Sequence, residues 1–129
     1  MKMRRDHNVP LSRQALEIIR SMDPVSGGTE FVFLAFHSFR KPISENTVNQ
    51  ALRRLGYGGV MTAHGFRSTA SILLNESKRW SPDAIERALA HEDKNAVRAA
   101  YNRTDYWDER VEMMQWWLDR LDTLRASAK

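Results

Sequence analysis

The sequence predicts a mainly α-helical domain with one small β element, an α+β unit spanning residues 1–129. Three observations predict it. Apolar residues recur at steps of three and four over most of the chain, helix start and stop residues separate these stretches, and the one six-residue apolar run, FVFLAF at 31–36, suits a strand. A chain of 129 residues fits one compact domain.

Taken in order, residues 1–10 begin with Lys, Met and Arg and end in Asn8-Val9-Pro10, which suits an edge strand or the return of a hairpin whose other strand precedes Met1. Ser12 is placed to cap a helix whose Ala15, Leu16, Ile19 and Met22 share a face, with Asp23-Pro24 ending it. Ser26-Gly27-Gly28 is a loop, and residues 31–36 form a short buried strand or extended piece. Ser44 is placed to cap a second helix, with Val48, Ala51, Leu52 and Leu55 as its apolar stripe, Arg53 and Arg54 facing outward, and Gly56, Gly58 and Gly59 closing it. Phe66, Ala70, Leu73 and Leu74 keep helical spacing over 65–77. Ser81 with Pro82 is a strong helix start, and Trp80 is set to pack on Ile85 as a hydrophobic staple. That helix runs to about His91, Asp93 opens another through Val97 and Tyr101, and Asp105 opens the last. In the last helix Trp107, Val111, Met114, Leu118 and Leu121 form a stripe, with Trp116 and Trp117 alongside.

Composition narrows the function. With 42% hydrophobic and 28% charged residues the chain is ordinary globular protein, and no apolar run is long enough to span a bilayer. The absence of cysteine excludes a disulfide framework and a thiolate metal site, and no secretory leader is visible, so a cytoplasmic protein is expected. The net charge is +4, unevenly spread: residues 40–79 hold seven Lys/Arg against two acids, whereas residues 105–129 hold six acids against four bases. A basic middle segment containing Arg40, Lys41, Arg53, Arg54 and Arg67 suits a polyanion such as duplex DNA, and on charge alone a solvated surface explains it equally well.

Three short segments carry the functional argument: His64-Gly65-Phe66-Arg67, Leu89-Ala90-His91-Glu92 and Ala100-Tyr101-Asn102-Arg103. His64 precedes Arg67 by three, His91 follows His64 by 27, and Tyr101 follows His91 by ten. Singly, each has a bland reading as a capping histidine, a solvated helix arginine or a half-buried aromatic. As an ordered set with these spacings the chain resembles the tyrosine recombinases of the phage-integrase type. The wording TAHGFRSTAS, LAHEDKNAVRAAYNR and MMQWW is similar to the branch found on P4-like prophages and genomic islands. In the wider family a Gly usually precedes the second His, where this chain has Ala90.

The resemblance implies a catalytic domain that begins part-way, site-specific recombination at attachment sites, and the following roles. Tyr101 is the nucleophile, with Tyr106 and Tyr57 as rivals. Arg67, His64 and His91 act on the scissile phosphate. Lys2, eight residues before the Pro of Val9-Pro10-Leu11, is the acid for the leaving oxygen. A further Arg and an N-terminal DNA-clamping domain belong upstream of Met1, so 1–129 taken alone is expected to be inactive. The chemistry suits the set. A covalent phosphotyrosine conserves the energy of the broken phosphodiester, a guanidinium steadies charge on the non-bridging oxygens, and imidazoles move protons near neutral pH. Neither metal nor cofactor is required. Double-stranded DNA is the implied partner, and other recombinase subunits are implied partners of the last helix, whose stripe alternatively folds back on its own domain. Two other classes compete: a non-catalytic DNA-binding remnant or fragment, and a helical protein-interaction domain. A zinc hydrolase is disfavoured, because His64 and His91 lack i, i+4 spacing and no HExxH accompanies them.

Overall fold

Helices begin where a side chain or neighbouring oxygen takes the unpaired amide hydrogens of a first turn, and Ser81 and Asn49 meet that requirement at two helix starts here. The computed structural model describes residues 6–91 and 105–128. Its elements are α1 (Arg13–Ser21), α2 (Asp23–Ser26), β1 (Leu34–Ala35), β2 (Ser38–Pro42), α3 (Thr47–Arg54), α4 (Ala63–Ser77), α5 (Pro82–Ala88) and α6 (Trp107–Ser127). The chain is thus mostly helical with one two-stranded antiparallel sheet. No described helix is long and apolar enough to cross a membrane. The described residues form two compact units, 13–69 and the set 6–12, 70–91 and 105–128.

In the 13–69 unit, α1 starts directly after the buried Ser12, and Pro24 opens the short α2 just beyond the end of α1. The hairpin pairs Leu34 with Pro42 and Ala35 with Ser38, with an irregularity between Leu34 and Ala35. The expected buried strand at 31–36 is corrected: only Leu34–Ala35 is strand, Phe33 is exposed, and Phe36 stands fully in solvent at the turn. A two-residue strand is too short to bury a face. Ser44 does not cap α3. Its hydroxyl lies 2.9 Å from that of Thr47, its carbonyl accepts the Thr47 N–H, and the helix begins at Thr47 after Asn46. Val48 and Leu55 of the expected stripe are exposed, whereas Arg53 and Arg54 face outward as the spacing predicts.

The second unit holds the buried core. Leu74 of α4, Ile85 of α5 and Met113 of α6 are fully buried, Trp117 nearly so, and Ala70, Leu73, Trp80, Ala88, Leu89, Met114, Trp116 and Leu118 pack around them. Trp80 meets Trp116 edge-on at 6.1 Å between ring centres and packs against the cluster that contains Ile85. Ser81 caps α5, accepting the Ala84 N–H. The face that α6 buries is Arg110, Met113 and Trp117, rotated from the expected stripe. Met114 and Leu118 reach the core, while Trp107, Val111 and Leu121 keep over a third of their surface exposed.

Residues 6–12 are neither helix nor strand, so the expected edge strand is absent from the described part of that segment. A strand needs a pairing partner, and this segment is held by side chains instead. Fully buried Arg110 donates to the carbonyl oxygens of Asn8 and Asp105, and Arg87 donates to the Asp6 carbonyl and, at 2.7 Å, to the Asp105 carboxylate. Burial lowers the Arg110 pKa, with Asp105 opposing that and Arg87 adding to it. His7 lies in the same cluster. Burial first, then the charges of Arg87 and Arg110, hold its pKa below 6.5, against the opposing effects of Asp105 and a hydrogen bond with the Ala88 backbone.

Two measurements test this packing. Leu74→Ala should cost about 2–5 kcal/mol in urea unfolding, because the surrounding helices cannot collapse fully onto the void, while Ile72→Ala on the exposed side of α4 should cost under about 1 kcal/mol. Because the folded chain binds fewer protons at His7 than the unfolded chain, the contribution of His7 is complete above 6.5 and is lost as pH falls from 6.5 toward the folded value. Stability should therefore fall as pH drops through 6.5 and below it, and less steeply in His7→Gln. Equal slopes would exclude His7 as the cause.

Candidate functional site

The His64–Arg67 pair stands on the first turn of α4, and that turn is fastened from two sides. Asn49 of α3 accepts the Ala63 N–H through Oδ1 at 2.8 Å, and Thr62 accepts the Gly65 N–H through Oγ1 at 3.0 Å. Both bonds take amides that the helix itself cannot pair. Gly65 lies against Met61, whose Sδ would be 2.7 Å from a Cβ at this position, so a larger residue there would require the Met61 side chain to move. Residues three apart are neighbours on a helix surface, so His64 and Arg67 project from adjacent positions. His64 is exposed and Arg67 half-buried. The Arg67 Nε is shielded from solvent and has no hydrogen-bond partner among the described residues.

His91 stands at the other kind of helix end. Beyond α5 the Ala90 N–H donates to the Arg87 carbonyl and the His91 N–H to the Glu86 carbonyl, while Ala90 takes the left-handed φ of +54°. This pair of bonds is a Schellman turn. The same turn closes α3, where Gly56 has φ +92° and the N–H groups of Gly56 and Tyr57 donate to Arg53 and Leu52. Position 90 thus takes left-handed backbone, a conformation that glycine adopts without steric cost and Ala90 does not. The chain reversal also brings the His91 ring onto its own helix, with Nδ1 2.6 Å from Glu86 Oε2.

The remaining expected residues divide as follows. Arg40 and Lys41 lie on β2, Arg53 and Arg54 in the last turn of α3, and all four are exposed in the unit that carries His64 and Arg67. Consecutive strand residues project to opposite faces, so Arg40 and Lys41 address different sides of the hairpin. Lys2 and Tyr101 lie outside the described residues. Of the rival tyrosines, Tyr57 is exposed after α3, and half-buried Tyr106 precedes α6 with φ +51°. Among the described residues no three His, Cys, Asp or Glu side chains gather in a metal-binding group.

Sequence reasoning misses the carboxylates. Glu109 takes the Ser81 N–H at 2.7 Å and the Ser81 hydroxyl at 3.0 Å, tying α6 to the cap of α5 across 28 residues. Glu86 is five residues from His91, a spacing that does not pair on a helix and becomes close only through the left-handed turn.

The phage integrase family model matches residues 1–107. The chain is 56% identical over 119 residues to the prophage integrase IntA of Escherichia coli K12, 92% of this chain and 29% of the relative. It is 50% identical over 128 residues to the integrase of Enterobacteria phage P4, covering 97% and 29%, and 43% identical over 123 residues to the integrase of Shigella phage Sf6, covering 95% and 32%. The chain thus spans about a third or less of the curated relatives it matches. No solved structure matches it.

The two Schellman turns differ in one residue type, and this makes them testable. A left-handed non-glycine residue costs about 1–2 kcal/mol, partly offset by the greater unfolded-state freedom of glycine. Ala90→Gly should stabilise the chain by about 0.5–1 kcal/mol in chemical denaturation, and Gly56→Ala should destabilise it by about 1 kcal/mol. Stabilisation by both substitutions would contradict the left-handed assignment.

Proposed function

This chain belongs to the phage integrase family, and from that premise we propose that it is catalytic-domain sequence of a tyrosine recombinase, acting in the cytoplasm on double-stranded attachment-site DNA for prophage or genomic-island integration and excision. The observation that carries the reading is the first turn of α4. A half-buried guanidinium stands beside an exposed imidazole on one helix face, and the charge and donors of such a pair suit an anionic group.

The proposed reaction is transesterification. The Tyr101 phenolic oxygen bonds to phosphorus, the bond to the 5′ oxygen breaks, and the product is a 3′-phosphotyrosine with a free 5′-hydroxyl. Arg67 steadies the negative charge that grows on the non-bridging oxygens. His64 and His91 donate to those oxygens or accept the phenolic proton, and Lys2 protonates the leaving 5′ oxygen. Reversal with a new 5′-hydroxyl rejoins the strands, and no external energy source enters because one ester replaces another. Arg40, Lys41, Arg53 and Arg54 neutralise backbone phosphates, a role that needs exposure and charge and carries little sequence information. Partly exposed Trp107, Val111 and Leu121 of α6 are the proposed contact with a neighbouring recombinase subunit.

Two experiments test this reading. In a chimera of the phage P4 integrase carrying this chain in the matching stretch, Tyr101→Phe should abolish covalent adduct on a nicked attachment-site duplex and leave DNA affinity nearly unchanged, since it removes only the attacking oxygen. Adduct surviving in Tyr101→Phe and vanishing in Tyr106→Phe would move the nucleophile. For the chain alone, where Arg40 and Lys41 face opposite sides of the hairpin and only one of them meets a given duplex, three phosphate contacts should weaken duplex binding about fortyfold between about 50 and about 200 mM salt. Salt-independent binding would remove the basic surface from the proposal.

A further inference from the structure

We propose that Glu86 is a positioning residue for His91, fixing the ring and its tautomer so that Nε2 is the nitrogen offered to the DNA phosphate; this rests on the recombinase reading above. His91 is joined to Glu86 twice. Its main-chain N–H donates to the Glu86 carbonyl at 3.0 Å, and its Nδ1 lies 2.6 Å from Glu86 Oε2. The two bonds close a small ring through the left-handed Ala90, so one residue of α5 sets both the backbone and the side-chain direction of His91.

The chemistry of the pair decides the tautomer. An ionised carboxylate only accepts hydrogen bonds, so the proton between Oε2 and Nδ1 belongs to Nδ1 whether the imidazole is neutral or charged. Nε2 is then the nitrogen left for chemistry: an acceptor for a proton when the ring is neutral, a donor to a phosphate oxygen when it is charged. A carboxylate that orients a catalytic imidazole in this way acts through the histidine without touching substrate. Both side chains are about half exposed, 42% for His91 and 51% for Glu86, so the pairing adds little to stability and its effect lies in orientation.

This role separates from that of an ordinary surface charge. Removing an acid near a DNA-binding surface lessens repulsion, so a merely electrostatic Glu86 would, when replaced, leave binding and cleavage equal or improved. A positioning Glu86 gives the opposite result for cleavage. In the P4 integrase chimera, Glu86→Ala should slow adduct formation by about 10- to 100-fold with DNA affinity no weaker, and Glu86→Gln, whose amide oxygen still accepts from Nδ1–H, should recover part of that loss. On the 129-residue chain itself, ¹⁵N spectra of the His91 ring at a pH where it is neutral should show the proton on Nδ1, moving to Nε2 in Glu86→Ala. Wild-type chain with the neutral proton on Nε2, or Glu86→Ala cleaving at the wild-type rate, would overturn the proposal. A wild-type chimera that forms no adduct would overturn the recombinase reading instead, with the ring spectra still deciding the Glu86–His91 pairing.

Discussion

A guanidinium taken wholly out of water needs partners for its donors and its charge inside the protein, and Arg110 imposes that demand on the unit that holds the core, where its two terminal nitrogens are met and Nε has no hydrogen-bond partner among the described residues. Its partners are the carbonyl oxygens of Asn8 and Asp105, with the Asp105 carboxylate at 4.0 Å. These contacts fix the rotation of α6. With Arg110 directed at residues 6–8, Met113 and Trp117, three and seven positions on, are carried into contact with Leu74 and Ile85. They also hold a segment that has no strand of its own, assisted by Arg87, which reaches Asp6 and Asp105 together. Buried ion clusters add little net stability, since desolvation offsets attraction, but leaving one member unpaired costs several kcal/mol. The cluster therefore defines one arrangement chiefly by making others expensive.

The side chains proposed for the site stand at helix ends. His64 and Arg67 project from the start of α4, whose amides are taken by Asn49 and Thr62, and His91 follows the end of α5, whose carbonyls are taken by the Schellman turn. A helix end couples a rigid support to an open side, because the terminal backbone groups must find partners and those partners lock the geometry. The left-handed residue at 90 turns the chain back so that His91 meets a carboxylate of its own helix. Such a turn can serve orientation as well as termination.

Burial is divided unequally. The apolar side chains that are fully buried among the described residues, Leu74, Ala84, Ile85 and Met113, belong to the second unit. The unit with Arg40, Lys41, Arg53 and Arg54 exposes Phe36, Phe39 and Leu55 beside those charges. Neutralising a phosphate backbone calls for exposed cations, and dense packing beneath them is a separate requirement that the sequence periodicity overstated at 31–36 and along α3.

Short-range chemistry was legible in the residues. Ser81-Pro82 with Trp80 marked the start of α5, Gly56 marked the end of α3, and the order and spacing of His64, Arg67, His91 and Tyr101 carried the family, because each depends on neighbours within a turn or on a recurring local pattern. The sequence by itself determined the helical class, the family and the candidate residues. Tertiary structure alone decided that Arg110 lies in the core, that the buried face of α6 is rotated from its apolar stripe, that Glu109 fastens Ser81, and that Glu86 meets His91. An arginine or glutamate reads as solvent-facing in any periodicity, and only the fold, by bringing distant carbonyls, hydroxyls and imidazoles within hydrogen-bond reach, supplies the partners that let a charge be buried or put to use.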